Sequence, residues 1–283
     1  MNIVKIKEVI DKMKQYHKGS DTIKEETTRD QILYGNADQE CTGIVTTCWA
    51  TMDVIQKASD ANANLIICHE ALFWNHGDHI DWLQEQQNQT FLEKQKLLDE
   101  TGIVVWRDHD YIHSGIPMED GTYQDGIFYG FAKLMHWEDH IVSQGEAPLL
   151  YDLPETTVEE IGKQMLENFH LSGMKIVGDL HTKVKKAYIC AHVMGHGDSE
   201  LITKVDQEDI DLLIALELID YTVSEYIRDS CMAGHPKAII ALGHFNAEEP
   251  GMEYMLSYLP EAIGQDIPCQ YIQSGDMYQY LTK

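Results

Sequence analysis

Long apolar runs are missing from this 283-residue sequence. Those present, such as Leu65 to Cys68 and Ala238 to Leu242, fall far short of the roughly 20 residues a helix needs to cross a bilayer, so no membrane partner is expected. Basic charge is scarce as well: 21 Lys and Arg stand against 47 Asp and Glu, a formal charge of −26. Such a surface repels a phosphate backbone and favours solubility, which removes nucleic acid from the expected partners. Cysteine is sparse and scattered, at positions 41, 48, 68, 190, 231 and 269, with no C-x-x-C pair. Cys48, Cys68 and Cys190 sit inside apolar, strand-like stretches, as buried thiols of a reducing compartment do. The sequence also carries neither a P-loop nor a dinucleotide fingerprint.

What is present is ordinary globular composition, 43% hydrophobic and 24% charged, on a chain long enough for two domains. Val4, Ile6, Val9, Ile10 and Met13 recur at helical spacing with Lys and Glu between them, unlike a signal peptide, so a cytoplasmic location is expected. After a polar stretch from Ser20 to Glu40, short β-rich runs alternate with helical segments. Strands are expected at Gly43 to Trp49, Asn64 to Cys68, Gly102 to Trp106, Lys185 to Val193, Leu212 to Leu216 and Ala238 to Leu242. Helices are expected at Met52 to Ala61, Trp82 to Glu100, Phe128 to Trp137, Val158 to His170, Thr222 to Met232 and Gly251 to Leu259. Each half reads as β-α-β units. The fold class is therefore α/β, with domains at about 1–125 and 126–283 joined across Gly115 to Pro154. The second domain supplies His244 and Glu248, and a return of its C-terminal strands to the first domain is one route the pattern offers.

Sheets of this kind bind ligands beyond the carboxyl ends of their strands. Three strand ends there carry His and carboxylate. Asn64-Leu-Ile-Ile-Cys runs into His69 and Glu70; Ile103 to Trp106 runs into Arg107-Asp-His-Asp-Tyr-Ile-His113; Ala238 to Gly243 runs into His244-Phe-Asn-Ala-Glu248. Imidazole and carboxylate are donors for a borderline divalent cation, and no cysteine accompanies them, which excludes a thiolate zinc site. His109 and His113, like His244 and Glu248, are four residues apart and share a face wherever the chain turns helically. Adjacent His69 and Glu70 reach two different ions more readily than one, so a pair of metals is expected. His76, Asp78 and His79 read as an exposed loop, and Gly195-His-Gly197 as a tight turn. The 14 Tyr and 12 Met are spread through helices and call for no cofactor.

The runs Gly43-Ile-Val-Thr-Thr-Cys-Trp-Ala-Thr, Ala63-Asn-Leu-Ile-Ile-Cys-His-Glu-Ala-Leu-Phe-Trp74 and Gly243-His-Phe-Asn-Ala-Glu248 resemble the Nif-three-like dinuclear metal centre family. Some of its members carry the label of a second type of GTP cyclohydrolase. The resemblance runs from about Asp30 to the C-terminus. In that family one strand ends in His-His, a second in a His-Thr-Asn-Leu-Asp-like segment, and a G-H-x-x-x-E motif closes the site. His69 matches the first histidine, and Glu70 stands where the second is expected. His109 matches the histidine opening the second segment, and His113 stands at its aspartate. His244 and Glu248 match the closing motif without change, while Glu217 falls in a segment resembling the family's Thr-Gly-Glu. One imidazole and one carboxylate have thus exchanged places, which keeps three His, two carboxylates and a ligand charge of −2.

The resemblance implies two similar α/β domains with mixed sheets and an interdomain dinuclear metal site, in a homo-hexamer. It also implies two divalent ions (Zn, Fe or Mn) on His69, Glu70, His113, His244 and Glu248. The chemistry expected of such a pair is hydrolysis of a small molecule, a nucleotide among the candidates, with Asp108, His109 and Asp110 as proton carriers. The alternative is a non-catalytic metal or cofactor carrier.

Overall fold

A computed structural model describes residues 4–143, 145 and 147–281. The chain divides into two compact units: unit 1 is Met1–Gly130 with Gly251–Ser274, and unit 2 is Phe131–Pro250 with Gly275–Lys283. No helix among the described residues is long and apolar enough to cross a membrane.

Unit 1 contains α1 (Ile6–Tyr16), β1 (Ile32–Tyr34), β2 (Ile44–Thr47), α2 (Met52–Asp60), β3 (Leu65–Cys68), α3 (Asp81–Glu85), α4 (Gln89–Thr101), β4 (Val104–Arg107), α5 (Asp110–Ser114) and the small hairpin β5 (Ile116–Pro117) and β6 (Tyr123–Gln124). The chain leaves unit 1 within α6 (Gly126–Met135). Unit 2 contains β7 (Leu150–Thr157), α7 (Val158–Asn168), β8 (Lys175–Gly178), β9 (Lys183–Val193), α8 (Asp198–Gln207), β10 (Leu212–Leu218), α9 (Val223–Met232) and β11 (Ala238–Ala241). The chain re-enters unit 1 within α10 (His244–Ile263) and adds β12 (Cys269–Tyr271).

Each unit is built on a mixed five-stranded sheet, of order β1-β4-β3-β2-β12 in unit 1 and β7-β9-β10-β11-β8 in unit 2. The central strands are parallel in both, as β-α-β units require. The edges depart from that reading: β1, β7 and β8 run antiparallel. The central strands bury apolar side chains deep in each unit: Ile44, Leu65, Val104, Leu212 and Ala238 are all fully buried.

The segment expected as one helix from Trp82 to Glu100 is two, because Asn88 caps α4 by accepting from the Phe91 amide at 3.0 Å. Conversely, α10 begins seven residues before the expected Gly251 and carries Pro250 in its interior. Gly251 is where α10 meets α6 most closely: a Cβ there would lie 2.4 Å from the Ile127 Cα. Only a glycine permits that approach.

Candidate metal centres

In unit 1, β3 and β4 lie side by side with Cys68 opposite Arg107, so His69 and Asp108 emerge together at the carboxyl edge of the sheet. The chain then turns into α5, whose start is fixed by Asp30. Its Oδ1 accepts from the amides of His109 and Asp110, both at 2.8 Å, and its Oδ2 from that of Tyr111 at 2.7 Å. These are the orphan donors of a helix N-terminus, satisfied by a buried carboxylate. The helical turn returns the His113 amide to the His109 carbonyl at 3.2 Å and brings both rings to His69. The His69 and His109 rings stack with centroids 4.6 Å apart, and His113 stands edge-on 5.0 Å from each.

All three rings are oriented the same way chemically. His69 Nδ1 lies 3.1 Å from the Asp108 carbonyl, His109 Nδ1 2.9 Å from Asp110 Oδ1, and His113 Nδ1 2.8 Å from Asp125 Oδ2. An Nδ1–H pointing at oxygen assigns the metal-binding lone pair to Nε2, the arrangement in which metal-ligating histidines are usually held. One donor atom from each of the three lies within 4.8 Å of the others. The supports are themselves anchored. Asp110 Oδ2 accepts from Thr28 Oγ1 and the Arg29 amide, both at 2.9 Å, and Asp125 Oδ1 from the amides of Ile127 and Phe128 at 3.0 and 3.2 Å. Burial, with the neighbouring imidazoles, holds His69 well below the ordinary histidine range and takes His109 down to about 4. Both are neutral at physiological pH, the form that ligates.

Glu70 sits beside this group on a different support. Arg107, fully buried, donates from Nη2 to Glu70 Oε2 at 3.2 Å, from Nη1 to Asp78 Oδ2 at 3.1 Å, and from Nε to the His69 carbonyl at 3.0 Å. Nη1 also reaches the His76 carbonyl at 2.9 Å, so the segment read as an exposed loop is tied to the site through Asp78 and His76. Glu70, His76 and His109 form a second group of donors within 4.8 Å.

Asp108 turns inward. Its carboxyl is wholly buried, 3.8 Å from His17 Nε2, and burial pushes it up to about 7. Asp30 reaches about 7 through burial and the proximity of Asp108. In Asp110 the hydrogen bonds from Arg29, His109 and Thr28 outweigh burial and hold the carboxyl low.

Unit 2 gathers its own donors at the carboxyl ends of β9, β10 and β11. The register sets Glu217 opposite His192, and β11 delivers His244 to the start of α10. The two oxygens of Glu217 take the Nδ1 atoms of His192 and His244, one each. One helical turn on, Glu248 Oε2 lies 3.1 Å from His244 Nε2. His192, Glu217 and His244 again offer donors within 4.8 Å of one another. The two imidazoles keep Glu217 below the usual carboxylate range despite its burial.

Of the residues singled out in the sequence, His69, His109 and His113 come together in unit 1 with Glu70 alongside, and His244 and Glu248 come together in unit 2. Asp30, Asp125 and His192 carried no signal. Asp30 acts through backbone amides distant in sequence, Asp125 through a ring nitrogen brought to it by the turn of α5, and His192 lies inside a strand, short of its end. Nitrogen and oxygen donors with oxygen-anchored Nδ1 atoms, and the neutral rings of His69 and His109, together suit a borderline divalent ion.

The family model described as Duf34/NIF3 (NGG1p interacting factor 3) matches residues 4–276. A Clostridium acetobutylicum protein named GTP cyclohydrolase 1 type 2 homolog is 23% identical over 248 residues, 86% of this chain and 85% of its own length. The crystal structure of a hypothetical protein of Staphylococcus aureus superimposes with a TM-score of 0.71 at 16% identity, covering 99% of this chain and 100% of that one. A Bacillus cereus protein related to NIF3 gives 0.70 at 13% identity, with the same coverage. At these identities the solved structures establish the fold.

Proposed function

This chain belongs to the Duf34/NIF3 family, and from that premise we propose that it is a metal-dependent hydrolase of a small molecule, using two divalent ions drawn from Zn, Fe or Mn. The observation that carries the reading is the set of three imidazoles in unit 1, each with Nδ1 held by an oxygen. His69, His109 and His113 are the proposed ligands there, with Glu70 alongside on Arg107. His244 and Glu248 are the proposed ligands in unit 2, supported by Glu217 and His192. A divalent ion so held lowers the pKa of water and polarises a carbonyl or phosphoryl group. The chain's own contribution is to keep His69 and His109 neutral and the rings fixed. Asp110 orients His109, and Asp108 holds a proton near neutral pH against His17. The name of the Clostridium relative places GTP and other nucleotides first in a substrate panel. By resemblance to the family we also propose a cytoplasmic homo-hexamer.

The test is bound metal per chain by elemental analysis, then turnover of nucleotides and phosphoesters with Mn, Zn or Fe added. Metal-dependent turnover abolished by His113→Ala and by His244→Ala supports the hydrolase. A second reading, a metal or cofactor carrier, is favoured by the exposure of the unit 2 donors: the His192 and His244 side chains are 46% and 30% accessible. Tight loading with no turnover across the panel would select it.

A further inference from the structure

Unit 2 contains a cavity of about 450 Å³ at the carboxyl ends of β10 and β11, within the size range of small-molecule sites. Glu217 and His244 form one part of its wall. The rest is of a different character. Phe245 from the start of α10, with Tyr278 and Tyr280 from the C-terminal segment, supplies aromatic surface. That segment is tied to the link between α7 and β8. The Ser172 amide donates to Asp276 Oδ2 at 3.1 Å, and the Tyr280 ring covers Gly173 so closely that a Cβ there would meet it at 2.9 Å.

Two polar groups on the wall lack a protein partner among the described residues. Lys175 begins β8 opposite Ala241, at the carboxyl end of β11, and makes no ion pair. Asn246 is 3% exposed; its Nδ2 donates to the Leu242 carbonyl at 2.9 Å, which fixes the amide, while its buried Oδ1 accepts no hydrogen bond. A buried acceptor left unpaired is destabilising, a cost that a ligand N–H would remove.

We propose that this cavity is a seat for a planar heteroaromatic anion: the ring lies against Phe245, Tyr278 and Tyr280, a ring N–H donates to Asn246 Oδ1, and the anionic substituent pairs with Lys175. Aromatic walls favour a π-face, the acceptor selects a donor, and the lone cation selects a negative charge. The seat deepens the hydrolase reading, on which it rests for the identity of the site, by naming the class of molecule brought up to Glu217 and His244. Recognition of the ring needs no metal, so the two ideas fail separately.

The test is calorimetric titration of the full chain in chelator with three probes. Kynurenate, a bicyclic carboxylate with a ring N–H, carries all the features; naphthalene-2-carboxylate lacks the N–H, and indole lacks the charge. The seat is supported if kynurenate binds one per chain and more tightly than either of the others. Lys175→Gln should then weaken both carboxylates about tenfold and leave indole unchanged, and Asn246→Leu should weaken kynurenate about tenfold while sparing naphthalene-2-carboxylate. Asp276→Ala, which frees the C-terminal segment without touching the polar anchors, should weaken all three. No saturable binding of kynurenate to the wild type, or binding indifferent to Lys175→Gln and Asp276→Ala, overturns the proposal. Loss of metal-dependent turnover with kynurenate binding intact would count against the hydrolase and leave the seat standing.

Discussion

The fully buried guanidinium of Arg107 sits 3.2 Å from Glu70 Oε2, so the carboxylate that stands where a second histidine is expected is neutralised by the residue that ends the neighbouring strand. The same side chain pairs with Asp78 at 3.1 Å. Removing it strands two carboxylates that are largely out of water, and breaking a buried pair of this kind costs about 3–5 kcal/mol. Arg107→Met is expected to lower stability by that order, and Glu70→Gln by much less, because Asp78 still pairs. Denaturant midpoints of the two variants check the ranking; equal midpoints would show that Glu70 carries the cost alone.

Asp125 touches no proposed ion directly. It holds His113 Nδ1 at 2.8 Å while capping the start of α6. Asp125→Asn keeps the shape but loses the charge that orients the ring, and supporting residues of this kind are worth about 10–100-fold in metal affinity. Competition with a chromogenic chelator should show weakened zinc binding with the far-ultraviolet dichroism unchanged. His113→Ala should remove that binding step altogether.

Lys94 is 2% exposed, donates to the Leu72 carbonyl at 2.8 Å, and lies 5.3, 5.6 and 5.9 Å from the rings of Trp49, Phe73 and Trp74. Burial lowers its ammonium to about 8. Between that value and the unfolded one, about 10.5, the unfolded chain holds the proton that the folded chain has released. Stability therefore gains from this group as pH rises from about 8 to about 10.5, by up to about 3 kcal/mol. Chemical denaturation across that window should show the rise in the wild type and its loss in Lys94→Met.

An exposed glycine in a helix is usually improved by alanine, by roughly 0.5–1 kcal/mol. Gly251 should show the opposite sign. The added methyl would meet the Ile127 backbone at 2.4 Å, and α10 can move away only by opening its packing on α6. Gly251→Ala is expected to cost about 1–3 kcal/mol, read as a lower thermal midpoint. A midpoint at or above wild type would mean that the two helices separate easily.

How much of this was legible in the sequence differs by element. β2, β3, β4, β9, β10 and β11 each carry a short apolar stretch that the sequence shows, because buried sheet interior selects apolar side chains. The edge strands gave no such signal: β7 carries Pro154 and two acidic residues, and β1 and β12 are three residues long. For the sites, strand ends rich in His and carboxylate pointed to His69, His113 and His244. Arg107 did not stand out, since a charge closing an apolar strand ordinarily faces water; its role depends on Glu70 at the end of the neighbouring strand and on Asp78, brought back by the turn at Asn75 to His79. Asp30 was likewise invisible, its three amide partners lying about 80 residues on.

β12 pairs with β2 through Cys269, Gln270 and Tyr271 and completes the unit 1 sheet, yet it is synthesised after Phe131–Pro250, the main segment of unit 2. On the ribosome, the amide and carbonyl groups along that flank of β2 must wait, unpaired, for more than a hundred further residues to be added. The first half of the protein is thus held in an unfinished state throughout translation of the second, open to strand exchange with nascent neighbours until its closing segment emerges.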